Sequence, residues 1–184
     1  MFKKISLSLC IFLMLAGSCA AAQAELFRVG PGDVLEISVW RDETLSRELI
    51  VPPDGVLSFP LIGDVNVAGM TVGEIREIVR KKLSVYVPDA SLTVILKTIN
   101  SLRAYVIGQV KNPGTFQITM ETRVMHLLSM AQGLTPFASE QDIHVLRHRD
   151  DKIEKIRFNY KDVLRGNNLE QNILLKSGDV IVVP

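Results

Sequence analysis

The sequence predicts an α+β protein: a small β-rich unit followed by a β-grasp unit. Three observations carry this. Short runs of alternating apolar and polar residues recur between turns rich in Gly, Pro and Asp. Two amphipathic stretches at helical spacing interrupt those runs. The pattern also restarts after residues 98–102. From there the order is strand, strand, helix, strand, strand, short helix, strand, as in a mixed sheet with one helix across it.

Residues 25–29 lead into the turn Gly30-Pro31-Gly32-Asp33. VLEISVW (34–40) alternates, with Leu35, Ile37 and Val39 on one face and Glu36, Ser38 and Trp40 on the other. Residues 41–48 are polar and irregular in pattern, and 49–51 form a short strand. The stretch VPPDGVLSFPLIGDVNVAGMT (51–71) leaves the backbone little choice. Pro53 fixes φ, Asp54 bonds its own backbone, and Gly55 takes a positive φ. Strand 56–59 follows, then a turn over 61–64 containing Gly63 and Asp64, then strand 65–67. Thr71-Val72-Gly73-Glu74 is a capping box. It opens a helix whose apolar face is Ile75, Ile78, Val79 and Leu83, and whose basic last turn offsets the helix dipole. Residues 90–96 form the last strand of the first unit.

The second unit opens with strand 103–110, which contains Gly108, a sign of a bulge. Lys111-Asn112-Pro113-Gly114 turns the chain into strand 115–118. Glu121 or Thr122 starts a helix with Val124, Leu127, Leu128 and Ala131 on its buried face, and Gly133 ends it. Strands are expected at 142–148, 153–158, 173–175 and 180–183, with a helical turn at 159–165. Gly32-Asp33-Val34, Gly63-Asp64-Val65 and Gly178-Asp179-Val180 repeat one turn-to-strand device. Their spacings of 31 and 115 residues exclude a solenoid. All three aspartates are expected to be structural.

The chain starts with Lys3 and Lys4, then an apolar run over 5–16, then small residues. This is the pattern of a secretory leader, and the run is too short to span a bilayer. Ala22-Gln23-Ala24 fits the small-x-small cleavage rule. A competing exit is the lipoprotein-like box Leu15-Ala16-Gly17-Ser18-Cys19, in which the leucine sits one place too far from the cysteine, so cleavage after Ala24 is favoured. The competing exit would make Cys19 a lipidation site. Both cysteines, Cys10 and Cys19, lie before residue 25, so the remaining 160 residues have neither a disulfide nor a thiolate metal site. They carry 19 basic and 20 acidic side chains. That balance gives no basic surface for nucleic acid. Two disulfide-free units of this size bury little surface each, which favours packing against each other or against further copies.

No catalytic, cofactor-binding or metal-binding residue is nominated. His144 and His148 are four apart on a strand, hence ~13 Å apart, too far to share a metal. His126 lies elsewhere, on the helix. The chain has no Gly-x-Ser-x-Gly elbow. Asp33, Asp54, Asp64 and Asp179 already serve turns, so no carboxylate pair is left for glycoside hydrolysis. Gly30-Pro31-Gly32 precedes a strand, not a helix, and lacks a helix N-terminus for phosphate. Trp40, Tyr86, Tyr105, Phe137 and Tyr160 are candidate sugar platforms, with core or interface packing the better-supported use.

RVGPGDVLEISVW (28–40) and VPPDGVLSFPLIGDVNVAGMT (51–71) resemble the signature of the Wza-like polysaccharide biosynthesis/export proteins. VIGQVKNPGTFQI (106–118), LLSMAQGLTPFAS (127–139) and LKSGDVIVVP (175–184) are similar to the soluble-ligand-binding β-grasp (SLBB) domain that follows in that family. The resemblance implies a leader at 1–24, a polysaccharide export domain at 25–98 and an SLBB-like β-grasp domain at 103–184. Gly30, Pro31, Gly32, Asp33, Pro53, Asp54, Gly55, Gly63, Asp64, Gly108, Pro113, Gly114, Gly178 and Asp179 are its signature turn residues. It further implies a non-enzymatic, cofactor-free ring component in the periplasm, associated with the outer membrane, for capsular or exopolysaccharide export. The implied partners are further copies of the chain, the polysaccharide as cargo, and an inner-membrane copolymerase often coupled to a tyrosine kinase. Larger members end in an amphipathic pore helix that this sequence lacks, so a separate outer-membrane pore protein is expected. The alternative is a monomeric periplasmic carbohydrate-binding module that tethers or senses the polymer.

Overall fold

The computed structural model describes residues 26–88, 91–149 and 152–184. The leader, its two cleavage readings and Cys19 lie outside the described residues.

In the first half, strand β1 (Val34–Val39) runs antiparallel to β2 (Asp42–Ile50) on one side and β5 (Leu92–Thr98) on the other. A separate hairpin joins β3 (Val56–Phe59) to β4 (Gly63–Asn66), and helix α1 (Val72–Leu83) packs beside β5. Alternation along β1 drives Leu35, Ile37 and Val39 into the core. Leu57, Phe59, Val65 and Val67 from the hairpin region meet them, as do Ile75, Val79 and Leu83 from α1.

Two expectations need correction here. Residues 42–50 form a nine-residue strand, although 41–48 lack an alternating pattern. Pairing with β1 decides the matter: Ile50, Leu49, Glu48 and Arg47 lie opposite Val34, Leu35, Glu36 and Ile37. Arg41 turns the chain at φ 64°, and a bulge follows, where Ser46 Oγ accepts from the Val39 amide at 3.0 Å. The second turn sits earlier than expected. Leu61 holds φ 66° and Gly63 already pairs with Phe59, so Gly63 and Asp64 belong to β4.

In the second half, a five-stranded mixed sheet has the order β7-β6-β10-β8-β9. Its strands are β6 (Arg103–Gly108), β7 (Gly114–Gln117), β8 (Ile143–Arg149), β9 (Lys152–Phe158) and β10 (Val180–Val183). β10 lies centrally, parallel to β6 and antiparallel to β8. Helix α2 (Val124–Met130) covers one face, burying Val124, Leu127 and Leu128 against Ala104, Val106, Ile143, Val145, Phe158, Ile181 and Val183. A short helix α3 (Tyr160–Leu164) is capped by Asn159, whose side chain accepts from the Asp162 amide. This is the β-grasp arrangement, and the chain as a whole is α+β.

Other strand ends shift by one or two residues, as where the last strand of the first half runs Leu92–Thr98, and three further differences have a local cause. Strand β6 stops at Gly108 rather than Val110, because Gly108 takes φ 93° and turns against the Val183 carbonyl. Helix α2 begins at Val124, not at residue 121 or 122. Thr122 is buried before it, and its hydroxyl accepts from the Thr119 amide at 2.9 Å. Residues 173–175 make one isolated bridge, Arg123 to Leu174, instead of a strand. That segment serves α2 instead. The Ile173 carbonyl accepts from the Val124 amide, and Asn172 Oδ1 accepts from the Met125 amide at 3.0 Å. Two of the four amides a helix start leaves unpaired are thereby satisfied from some 50 residues away.

Candidate functional site

The signature residues do not converge on one pocket. They gather in three places. The first is the joint between the two sheets. Asp33 is fully buried there, and its carboxylate accepts four hydrogen bonds. Oδ1 takes the amides of Asn100 and Ser101, each at 2.8 Å, while Oδ2 takes the Gly30 amide and the Ser101 hydroxyl, each at 2.9 Å. Gly30 is close-packed, since a Cβ there would stand 2.7 Å from the Ser101 Cβ. The Asn100 side chain donates to the Gly32 carbonyl at 2.9 Å. From the other half, the Ser177 hydroxyl donates to the Ser101 carbonyl at 2.5 Å, and the Gln117 side chain donates to the Ile99 carbonyl. Residues 99–101 are therefore held from both halves at once. A shallow depression of about 350 Å³ on this side is lined by Pro31, Gly32, Asn100, Arg103, Tyr105 and Gly178. An apolar groove also reaches the joint, lined by Leu26, Phe27, Leu102, Ile118, Met120 and Leu174.

The second place is the Gly178-Asp179 turn. Asp179 is buried and bidentate with Arg147, Oδ1 to Nε at 2.9 Å and Oδ2 to Nη2 at 2.6 Å. Oδ2 also accepts the Lys176 amide at 2.8 Å. The hydrogen bond to Asp179 outweighs partial burial and holds the Arg147 guanidinium above its ordinary pKa. Nearby, Gly108 approaches β10 so closely that a Cβ would lie 1.9 Å from the Val183 carbonyl oxygen. Gly114, after Pro113, opens β7 and pairs with Val106.

The third place is the small hairpin. Asp54 accepts the Val56 amide at 3.0 Å, and Gly55, at φ 73°, lies where a Cβ would meet the Ala68 Cβ at 2.3 Å. Asp64 is exposed, unlike Asp33 and Asp179, and its carbonyl accepts from Lys82 Nζ at 2.8 Å. The three similar triplets thus serve different ends: two bury their carboxylates and one sits on a surface hairpin.

His144 and His148 lie on one face of β8, opposite Arg157 and Ile153 of β9. Among the described residues, no group of three or more His, Asp or Glu side chains is placed to hold a metal ion. None of the described helices is long and apolar enough to cross a membrane. Trp40, Tyr86, Tyr105 and Phe137 are exposed, Phe137 by 85%, so packing in this chain's own core is not their use. Tyr160 alone of the five candidates packs against the second core. Sequence reasoning missed Asn100, Ser101, Arg147 and Ser177. All are polar residues in ordinary context, and nothing local marks them as partners of distant turns.

A family model described as polysaccharide biosynthesis/export protein matches residues 21–97, and an SLBB domain model matches 102–183. The chain belongs to the polysaccharide biosynthesis/export protein family. Among its relatives is the polysialic acid transport protein KpsD of Escherichia coli, 26% identical over 84% of this chain and 27% of that protein. Another is the EPS I polysaccharide export outer membrane protein EpsA of Ralstonia nicotianae, 27% identical over 88% of this chain and 48% of that protein. A third is the capsule polysaccharide export outer membrane protein CtrA of Neisseria meningitidis serogroup A, 28% identical over 83% of this chain and 43% of that protein. The chain spans between about a quarter and about half the length of these relatives. In family terms, the joint lies between the export domain and the SLBB domain.

Proposed function

We propose that this chain is a non-enzymatic component of a capsular or exopolysaccharide export machine in the cell envelope. In this reading it divides into an export domain at 25–98 and an SLBB domain at 103–184, follows a cleaved leader, and assembles with copies of itself around the polymer's path. Its partners are an inner-membrane copolymerase and a separate outer-membrane pore protein. The supporting observation is the tandem of the two domains, in order and joined at a hydrogen-bonded junction. The signature carboxylates also favour it. Asp33 and Asp179 are buried and committed to backbone and guanidinium donors, which leaves them unavailable for acid–base work.

The test is deletion of the gene with complementation, measuring polymer outside the cell and polymer retained within it. Loss of extracellular polymer with intracellular accumulation is expected. Undiminished export, with no paralogue substituting, sinks the reading. A carbohydrate-binding module is the second reading, favoured by the exposure of Trp40 and Phe137. It predicts saturable oligosaccharide binding to the monomer, lost in Tyr105→Ala.

A further inference from the structure

Among the described residues, each half leaves one sheet face uncovered, and the two faces differ in charge. On the five-stranded sheet, α2 covers one face. The other presents two cross-strand rows. Tyr105, Val180, Leu146 and Lys155 align in one row, and Ile107, Val182, His144 and Arg157 in the next. Tyr105 and Ile107 are 40% and 49% exposed, so an apolar centre meets solvent with Lys155 and Arg157 at its edge. Among the described residues, Arg157 has one ionic contact, a loose and largely exposed one with Asp142 at 3.9 Å.

On the three-stranded sheet, the face away from α1 carries Ile50 beside Val34, and Glu48 beside Glu36 beside Ile95. Ile50 and Ile95 are exposed. The two carboxylates share a single ammonium, Lys97, at 3.0 and 3.3 Å. This face is therefore apolar with an excess negative charge. The same asymmetry runs through each half: residues 25–98 hold 8 basic and 11 acidic side chains, and 103–184 hold 11 basic and 9 acidic.

We infer that these faces are the two sides of a self-association contact, the Tyr105/Ile107 face of one copy docking on the Glu36/Glu48 face of the next. The inference rests on the proposed assembly of copies and names the surfaces. Like faces cannot pair well, because either pairing would bring like charges together. Unlike faces match an apolar centre to an apolar centre and cations to carboxylates. Such a contact is heterologous, so every copy keeps one free face of each kind and the series closes into a ring or extends. A face roughly 15 Å across falls short of the ~800 Å² per partner of a lasting complex. Pairwise association is therefore weak, concentration-dependent and weakened by salt.

The experiment uses the full chain, expressed with its leader and purified from the envelope, in sedimentation velocity over a concentration series. The wild type should form assemblies. Lys155→Glu with Arg157→Glu should weaken association at least about tenfold, as should Glu36→Lys with Glu48→Lys. Mixing the two variants should restore assembly, because each supplies the face the other needs; a chain carrying all four changes should assemble alone. Unchanged circular dichroism and thermal melting separate lost contact from lost fold, and Arg157→Gln alone, a milder change, should weaken association less. Wild-type assemblies that ignore both reversals overturn the inference and leave self-assembly standing, and so does failure of the mixture to reassemble. A wild type that stays monomeric at every concentration and in the envelope extract removes self-assembly itself.

Discussion

Asp33 accepts four hydrogen bonds in a site closed to water. Asp33→Asn keeps the shape but turns an amide NH₂ toward donors. It should cost roughly 2–3 kcal/mol, measured by urea unfolding, and a cost under about 0.5 kcal/mol would contradict this account of the joint. Arg147→Met should cost about 3–5 kcal/mol, because it strands the buried Asp179 carboxylate. Adding Asp179→Ala should then cost less than the sum of the two single changes, since both act on one interaction. These turn residues were visible in the sequence as Gly-Asp-Val triplets. What divides Asp33 and Asp179 from Asp64 was not. Three of the four hydrogen bonds to Asp33 come from 67 and 68 residues away, and Asp179 finds Arg147 at a separation of 32. Such pairings arise from the folded topology and leave no local pattern.

The start of helix α1 was legible to the residue, because its signal is local. The Thr71 hydroxyl accepts the Glu74 amide at 3.2 Å, and Glu74 accepts the Thr71 amide at 2.7 Å. That backbone hydrogen bond, more than the hydroxyl bond or nearby Arg28, holds the Glu74 carboxyl below its ordinary 4.5. The unfolded chain therefore binds this proton more readily than the folded one. The stabilisation is complete above pH 4.5 and lost as pH falls through the lower folded value. The stability gap between wild type and Glu74→Gln should close across that window in acid melts. At Gly108, substitution by Ala combines a positive φ with a clash on the Val183 carbonyl. It should cost at least about 3 kcal/mol, read as a lowered melting temperature. Strand β2 shows the limit of element-level reading. Its sequence, DETLSRELI, has no clean alternation, and only pairing with β1 makes it a strand. Residues 173–175 show the converse, since an apolar triplet resembling a strand supplies helix α2 with an acceptor, the Ile173 carbonyl, instead.

At the scale of the whole molecule, opposite charge on the two halves predicts a salt-sensitive assembly. Raising ionic strength to about 0.5 M should shift sedimentation toward the monomer, because exposed charge pairs are screened within a few ångströms. The two separate apolar cores could be expected from the way the sequence pattern restarts after residue 98. The locking of the joint could not, because Ser101 is held by the Asp33 carboxylate and the Ser177 hydroxyl, which no spacing rule connects.

The central place of β10 bears on how the protein is made. β6 emerges from the ribosome more than seventy residues before the strand that lies beside it, and β8 more than thirty before. Until residues 180–183 arrive, the middle of that sheet is a gap, and most of the second core has nothing to close on. A chain wired in this order stays threadable late into its synthesis. That is the condition in which a translocation channel can accept a chain, and in the proposed reading the final shape is taken on the far side of the membrane.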